Sequence, residues 1–363
     1  MTDKTDPKMT SGTCASDPEL PFLAVTPPDR LSEFIREAGE NAYRAGQIYS
    51  WVTRKYVTDP DAMTNLSAGV KAKLKQHFSC GALRIIKTEE AADGSRKLLI
   101  GLPDGETIEC AILGALDGRT TFCLSTQVGC PVRCAFCASG ADGLIRNLQA
   151  GEIVEQYLLC CRLIGKAPDN VVIMGIGEPM LNLTNLIAAL EVICNPDGMA
   201  LAARRVTIST SGWTPGIKEL ARHGRQWNLA VSLHGGDDKT RALLIPGKFR
   251  RDIREIVEAC KLHKAATGRL LTFEYVLLAG VNDSVEQARK LAAVARDANA
   301  KVNLIPYNKA GGAFERPGKE VIKKFENTLK TLQVPVTVRV EKGFESSAAC
   351  GQLRSSAGNR RKK

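Results

Sequence analysis

Cys130-Pro-Val-Arg-Cys134-Ala-Phe-Cys137 is the stretch that decides the fold and the chemistry expected of this chain. It places three cysteines on one loop at the spacing C-x3-C-x2-C, directly after the short apolar run from Thr121 to Gln127. Thiolates are soft ligands that favour zinc, copper(I) or iron–sulfur clusters, and three of them on one loop converge on one point. Zinc sites usually pair two C-x2-C units, and the sequence has no second unit, so the spacing favours a [4Fe-4S] cluster.

Three cysteines leave one iron of such a cluster open. An open iron can chelate the amino and carboxylate groups of S-adenosylmethionine (SAM), and an electron passed through it can then cleave the sulfonium to a radical. The loop in this respect resembles the signature of the radical SAM superfamily. Radical chemistry on SAM is therefore the leading expectation, and a zinc knuckle that recruits a fourth ligand is the less favoured one.

Composition is that of an ordinary globular protein with a polyanionic partner. The 363 residues are 44% hydrophobic and carry a net charge of +11, which favours nucleic acid first and an anionic membrane second. No apolar run approaches the ~18 residues of a membrane span, and residues 1–20 lack a signal peptide, so we expect a cytoplasmic protein. The 12 cysteines are scattered through a long α/β pattern, which predicts mostly reduced thiols.

The N-terminal third divides into three predicted parts. Residues 1–18 are polar and lack apolar periodicity, which predicts a disordered tail. Residues 19–80 show helical stripes and exposed basic groups, which fit either an RNA-binding module or a solvated helix surface (Arg44, Arg54, Lys55, Lys71, Lys73, Lys75). Residues 81–120 alternate in short β runs around the turn Pro103-Asp104-Gly105, which predicts a β extension.

Residues 121–344 repeat a strand followed by a helix. The expected strands are Thr121–Gln127, Asn170–Met174, Arg205–Ser209, Asn228–Leu233, Leu271–Leu277 and Lys301–Ile305. The expected helices cover roughly 151–165, 184–194, 215–223, 251–266, 284–298 and 318–332. Six such units predict an α/β fold, a partial (βα)6 barrel with its helices outside and its ligands at the carboxyl ends of the strands. A seventh strand, Val336–Val340, is expected at one edge, and residues 345–363 hold a cysteine loop and a basic tail.

Polar groups follow the predicted strands where ligands are expected. Gly175-Ile-Gly177-Glu178 follows the second strand, and its glycines are expected to let backbone approach a ligand whose amino group Glu178 accepts. Cys350 stands among small polar residues, which is typical of a reactive cysteine, whereas Cys123 within a strand is expected to be buried.

Taken together, these motifs resemble the RlmN/Cfr family of radical SAM RNA methyltransferases. The resemblance covers about residues 30–353 in unbroken order. Its motifs are Tyr43-Arg-Ala-Gly-Gln-Ile-Tyr-Ser-Trp51, Met63-Thr-Asn-Leu-Ser67, Cys123-Leu-Ser-Thr-Gln-Val-Gly-Cys130, the cysteine loop, Arg146-Asn-Leu148, Gly175-Ile-Gly-Glu-Pro179, Arg205-Val-Thr-Ile-Ser-Thr-Ser-Gly212, Ser232-Leu-His234, Asn303-Leu-Ile-Pro-Tyr-Asn308 and Ala348-Ala-Cys-Gly-Gln-Leu353.

The resemblance implies a role for each motif. Cys350 would carry a methyl group as S-methylcysteine, Cys123 would release the product through a transient disulfide, and Glu109 would be the base. The Gly114–Arg119 loop is one residue longer than the family pattern, so Glu106 is a fallback; from charge alone either glutamate is expected at a solvated strand edge. The implied ligands of the cluster are Cys130, Cys134 and Cys137, and those of SAM are Gly177, Glu178, Ser209, Ser232, Leu233, His234 and Asn308.

The resemblance favours methylation of adenine C2 in 23S rRNA, and in tRNA next to the anticodon, by a monomer that receives electrons from flavodoxin or ferredoxin. Cfr-like methylation at C8 is the nearest alternative. A radical SAM enzyme with a non-RNA substrate and a non-catalytic RNA-binding protein with a structural metal are the other two.

Overall fold

The computed structural model describes residues 20–114, 118–308 and 313–339. The predicted tail over residues 1–18 and the predicted loop and tail over 345–363, which include Cys350, lie outside the described residues. Within the described ranges, no helix combines the length and the apolar character that a membrane crossing requires.

Three helices form the expected N-terminal helical module: α1 (Pro28–Glu37), α2 (Tyr43–Lys55) and α3 (Ala68–His77). The lysines of α3 bind their own module. Lys71 Nζ donates to the Asp61 carbonyl (3.2 Å), and Lys75 Nζ pairs with the Asp61 carboxylate (2.5 Å). Lys73 Nζ donates to the Ala38 carbonyl (2.5 Å). These three cations therefore stabilise the module, whichever surface it presents to a partner.

A β meander connects this module to the main sheet. Its strands are β1 (Arg84–Glu90), β2 (Arg96–Gly101) and β3 (Thr107–Gly114), and β3 pairs antiparallel with β4 (Thr120–Cys123). The main body continues with β5 (Gln127–Gly129), β6 (Leu144–Asn147), α4 (Ala150–Ile164), β7 (Asn170–Ile173), α5 (Leu183–Ile193), β8 (Val206–Thr210), α6 (Thr214–Arg222), β9 (Asn228–Ser232), α7 (Asp238–Leu244), α8 (Ile253–Thr267), β10 (Leu271–Leu277), α9 (Val285–Asp297), β11 (Ala300–Pro306), α10 (Lys319–Thr331) and β12 (Val336–Val338).

One sheet of ten strands runs through the molecule in the order β1-β2-β3-β4-β7-β8-β9-β10-β11-β12. Pairing is antiparallel up to β4 and parallel from β4 to β12. Six of the parallel strands are each followed by a helix, so the predicted partial barrel with a β extension is confirmed. Because the chain order follows the sheet order, the ends of all six strands that lead into loops lie along one rim.

The two faces of the sheet differ in chemistry because successive side chains of a strand point to opposite sides. On β10 the side chains of Phe273, Tyr275 and Leu277 pack into the main core beneath the helices, and Tyr275 contacts Phe325 of α10 at 5.3 Å between ring centroids. The alternate residues, Thr272 and Glu274 among them, occupy the opposite face. We call this second surface, which the outer helices do not cover, the inner face.

Two features differ from the sequence-based expectations. The first expected strand is two strands: β4 ends at Cys123, and the chain turns at Ser125, whose amide donates to Gln156 Oε1 (3.0 Å), before β5 pairs with β6 as a hairpin. Helix α7 was not predicted. Its N-cap is Asp237, whose carboxylate accepts from the Thr240 amide (2.8 Å).

Candidate active site

The cysteine loop is fixed on both sides by backbone hydrogen bonds. The Cys130 amide donates to the Gly143 carbonyl (2.8 Å) beside the β5–β6 hairpin, and the Ala135 amide donates to the Leu244 carbonyl (2.9 Å) of α7. Gly129 enters the loop at φ +75°, where a Cβ atom would lie 1.9 Å from the Gly143 oxygen. The loop conformation therefore requires glycine at this position.

The three thiols of the loop line one cavity and pack against the apolar cluster that contains Val132 and Phe136. Burial raises the pKa of Cys130 to about 12 and raises that of Cys134 well above its ordinary value. Thiolates at such a position need a positive partner, and iron supplies it because a metal ion deprotonates the thiols that ligate it. The soft donor set and its shared cavity fit a [4Fe-4S] cluster. Among the residues with described side chains, no group of three or more His, Cys, Asp or Glu is arranged around a single metal ion.

The glycines after β7 serve the packing of the loop. A Cβ atom on Gly177, at φ +118°, would lie 2.7 Å from Thr126 Oγ1, and one on Gly175 would lie 2.5 Å from Ser125 Oγ. Both residues line the cavity, but the close contacts are with the turn between β4 and β5. The expectation that these glycines admit a ligand gave the wrong reason, since the neighbouring protein segment already excludes a side chain.

Glu178 is a buried carboxylate on the wall of the same cavity. It accepts hydrogen bonds from Thr210 Oγ1 (2.7 Å), the Ser211 amide (2.6 Å) and the Met180 amide (3.0 Å). Burial nevertheless raises its pKa. Each carboxylate oxygen accepts two hydrogen bonds, and the second oxygen uses only the Ser211 amide in the described structure. Glu178 thus caps a short turn and keeps acceptor capacity for a cationic ligand.

Most of the other residues proposed for SAM line this cavity. Ser209, Ser232, His234 and Asn308 do so, and the buried Asn308 Oδ1 has no hydrogen-bond partner within the described ranges, which suits a ligand donor. Leu233 does not line the cavity, because its side chain packs in the core under the helices.

His234 is held as a neutral imidazole. Its Nδ1 atom accepts a hydrogen bond from the Val276 amide (3.1 Å), which assigns the proton to Nε2. Burial and the neighbouring Arg241 lower its pKa to about 3. At neutral pH this side chain therefore offers a donor, and not a cation, to the cavity.

Cys123 and Glu109 share the inner face with this cavity. Cys123 is buried, as expected, and stands opposite Ala111 of β3. Both belong to a small apolar cluster against which Met174 packs, and Met174 also lines the cavity. Glu109 lies two residues before Ala111 and so points to the same face.

The expectation of a solvated strand-edge glutamate is wrong for Glu109. Its strand β3 lies between β2 and β4, and the residue is 1% exposed. Lys97 Nζ lies 3.3 Å from its Oε1 atom and 3.0 Å from Glu89 Oε2. Glu106, the fallback, is half-buried at the turn before β3, where its amide donates to Asp104 Oδ1 (3.0 Å).

Three residues of the site were missed from the sequence. Glu274 lines the cavity as a buried carboxylate, and its position in the period-two pattern of β10 was the available signal. Ser211, next to the predicted Ser209, also lines it. Arg241 is fully buried behind it and donates to the carbonyls of Ser211, Ser232 and Leu233; it lies in α7, which no sequence pattern indicated.

Comparison with known proteins gives consistent matches over nearly the whole chain. The family model described as the radical SAM superfamily matches residues 124–292, and that of the ribosomal RNA large subunit methyltransferase N-terminal domain matches residues 23–80. A protein of Akkermansia muciniphila named probable dual-specificity RNA methyltransferase RlmN is 40% identical over 345 residues, 93% of this chain and 96% of that protein.

Two further matches agree with these. A protein of Clostridium perfringens SM101 with the same name is 42% identical over 330 residues, which are 90% of this chain and 95% of that protein. The crystal structure of a radical SAM methyltransferase from Sphaerobacter thermophilus superposes with a TM-score of 0.87 at 41% identity, over 92% of this chain and 99% of the other.

Proposed function

Because this chain belongs to the RlmN family of radical SAM RNA methyltransferases, we propose that it methylates C2 of an adenosine in 23S rRNA and of an adenosine in tRNA next to the anticodon. Membership also assigns its cofactors, a [4Fe-4S] cluster and SAM. The observation that carries the choice of C2 is the buried Glu109 on the inner face, the position that the family resemblance gives to the base.

The cavity residues divide into two groups in this proposal. Cys130, Cys134 and Cys137 hold the cluster, and the polar side chains around them hold SAM (Glu178, Ser209, Ser211, Ser232, His234, Asn308). When bound, the two cofactors supply the radical chemistry that an adenine carbon without a nucleophilic lone pair requires. The protein contributes a largely enclosed surface with few exposed charges, which keeps water away from the reacting atoms.

Three side chains handle the methyl group and the protons. Cys350 carries the methyl group as S-methylcysteine, and Glu109 accepts the proton that leaves the adenine ring. Cys123 then attacks the Cys350 sulfur, and the transient disulfide releases the product. A disulfide needs Cα atoms about 4.4–6.8 Å apart, so the proposal requires the C-terminal segment to reach β4. The ten cysteines within the described ranges are all free thiols.

The partners are assigned on the same basis. We expect an external one-electron donor such as flavodoxin or ferredoxin, since each turnover consumes an electron that the protein residues do not supply. The N-terminal module contributes to the contact with RNA, as the matched domain of the ribosomal RNA methyltransferases suggests. A monomer in the cytoplasm is the remaining expectation.

Product analysis tests the proposal. The reconstituted enzyme is incubated anaerobically with SAM, a reductant and a 23S rRNA fragment, and the RNA is digested to nucleosides that are compared with C2- and C8-methyladenosine. We expect C2-methyladenosine from the wild type, none from Cys350→Ala, and normal product from the control Cys194→Ala, which removes a half-buried thiol outside the cavity. C8-methyladenosine as the sole product would contradict the choice of C2, and full activity of Cys350→Ala would contradict the methyl carrier.

A further inference from the structure

Aromatic and basic side chains form a patch on the rim of the barrel, at the carboxyl ends of β8 and β9. We call it the rim platform and define it as Trp213, Lys248, Phe249, Arg250 and Arg251. The rings of Trp213 and Phe249 contact edge to face at 5.7 Å between centroids. The Arg251 guanidinium lies over the Trp213 ring at 4.0 Å, and Lys248 Nζ lies 5.3 Å from the centre of the Phe249 ring.

The platform is already in a fixed conformation. Arg251 Nη1 donates to the carbonyls of Lys248 (3.0 Å) and Arg250 (2.9 Å), and its Nε atom lies 3.8 Å from Glu255 Oε1. These contacts hold the guanidinium plane against the indole while a quarter of the side chain stays exposed (25%). A ligand that stacks here does not need to order the side chain first, which lowers the entropic cost of binding.

The rim platform and the cavity share one structural support. Buried Arg241 donates to the carbonyl of Ser211, which lines the cavity, and to the carbonyl of Arg251 (3.3 Å). Trp213 follows Ser211 by two residues on the same loop. A molecule that extends out of the cavity over β8 and β9 therefore meets the rim platform first.

The charges of the platform are available to an anion. Within the described ranges, neither Lys248 nor Arg250 has a carboxylate within 4.0 Å, and Lys248 is exposed. Flat rings, a guanidinium plane and unneutralised cations are the combination that binds single-stranded nucleic acid, because bases stack on the planes and phosphates pair with the cations. An acidic protein would use the charges but would gain nothing from the planar arrangement.

We propose that the rim platform binds the RNA segment that flanks the target adenosine, with a neighbouring base on the Arg251–Trp213 stack and its phosphates on Lys248 and Arg250. The inference rests on the proposed function, since it takes RNA as the substrate. It adds a specific surface outside the cofactor cavity and outside the N-terminal module.

Equilibrium binding tests the phosphate contacts. The dissociation constant of the reconstituted enzyme for a fluorescent rRNA hairpin is measured by anisotropy over a series of salt concentrations. The double variant Lys248→Ala/Arg250→Ala is expected to bind on the order of tenfold more weakly, with a salt slope reduced by about 1.4. The control Arg222→Ala/Lys330→Ala removes two cations from the last turns of α6 and α10, at the opposite end of the barrel, and is expected to match the wild type.

A second comparison tests the stack. Arg251→Lys keeps the charge but loses the planar fork. An RNA that lacks one base next to the target is expected to bind the wild type several-fold more weakly than intact RNA, whereas Arg251→Lys is expected to show a much smaller difference between the two RNAs. Equal losses in both proteins would contradict the stack.

The outcomes separate this inference from the proposed function. A wild type that methylates C2 while Lys248→Ala/Arg250→Ala keeps the wild-type dissociation constant and salt slope overturns the rim platform alone. The same is true if that variant loses only the binding of an acidic redox protein. A wild type that binds RNA through the platform but yields no C2-methyladenosine overturns the proposed function alone.

Discussion

The ion pair between Lys97 and Glu109 shows how one buried charge can be kept on the inner face. Lys97 is itself nearly buried, with a side chain 10% exposed, and it reaches Glu89 as well as Glu109. Placing a carboxylate in an apolar setting is costly unless a cation stays beside it. The proposed base therefore depends on a residue of the neighbouring strand β2, which forms no contact with the cofactor cavity.

A double-mutant cycle measures this dependence. Lys97→Met, Glu109→Gln and the double variant are compared with the wild type by urea unfolding. We expect a coupling energy of about 1–3 kcal/mol, because each single change leaves a charge without this buried partner. The exposed pair Arg225–Glu191 (3.4 Å) is the matched control and should give a much smaller coupling. Additive effects of Lys97→Met and Glu109→Gln would contradict a direct interaction.

At this scale the sequence predicted which residues belong to the site better than it predicted why. Spacing alone placed Cys130, Cys134 and Cys137 on one cavity, because ligands that are close in sequence converge regardless of the rest of the fold. Burial of Glu109 was not predictable, since an isolated glutamate between apolar residues reads as an edge charge until the pairing of β3 on both sides is known.

Helix α4 illustrates the scale of the secondary-structure elements, because it joins the barrel to the segment that leads into the meander. Glu155 in the middle of α4 is buried and accepts a hydrogen bond from the Leu83 amide (2.9 Å). Burial raises its pKa from 4.5 to about 7. This one carboxyl group links α4 to residues more than seventy positions earlier.

That pKa predicts a pH dependence of stability. Below pH 4.5 the Glu155 carboxyl is protonated in both states; between pH 4.5 and about 7 the unfolded chain loses this proton while the folded protein keeps it. The contribution of Glu155 to the free energy of unfolding therefore falls as the pH rises through this window, by up to about 3 kcal/mol. Glu155→Gln should lose less stability than the wild type between pH 4.5 and 8.

Urea unfolding at both pH values checks this expectation. Glu258→Gln, which changes an exposed carboxylate of α8, serves as the control and should leave the pH dependence of the wild type unaltered. If Glu155→Gln and the wild type lose the same stability over this range, the group does not retain its proton in the folded state.

Long, strongly patterned elements were predictable, and short ones were not. The six outer helices match their expected ranges to within about two residues, because their apolar stripes are long enough to show a period. Helix α7 spans only seven residues, and β5 only three, so neither displays a full period of its own. Their positions depend on contacts with distant segments, such as the bond from the Ala135 amide to the Leu244 carbonyl.

Over the whole molecule, cysteines occur in two environments that chemical labelling can distinguish. Cys110, Cys160 and Cys260 are fully buried in the main core, and the Sγ atoms of the first two lie 3.6 Å apart. Cys130, Cys134 and Cys137 line the cavity and are partly exposed. Cluster assembly should therefore change the accessibility of the second group and not of the first.

Alkylation with iodoacetamide, followed by peptide mass spectrometry, provides the measurement. Without the cluster, labelling of Cys130 should be slow at pH 7 and accelerate towards pH 10, because its pKa is raised to about 12 and only the thiolate reacts. With the cluster bound, the three loop cysteines should be protected. Cys110 and Cys260 should stay unlabelled in both forms, and early labelling of either would contradict the described core.

The change from antiparallel to parallel pairing at β4 has an evolutionary consequence. In the proposed assignment, proton removal belongs to the meander, whereas the cofactors are bound by loops that follow the parallel strands. The two tasks thus reside in separately encoded modules that meet along a single pair of strands. Selection can recast which atom of a nucleobase reacts by rewriting some thirty residues, while the ancient machinery that activates SAM is inherited intact.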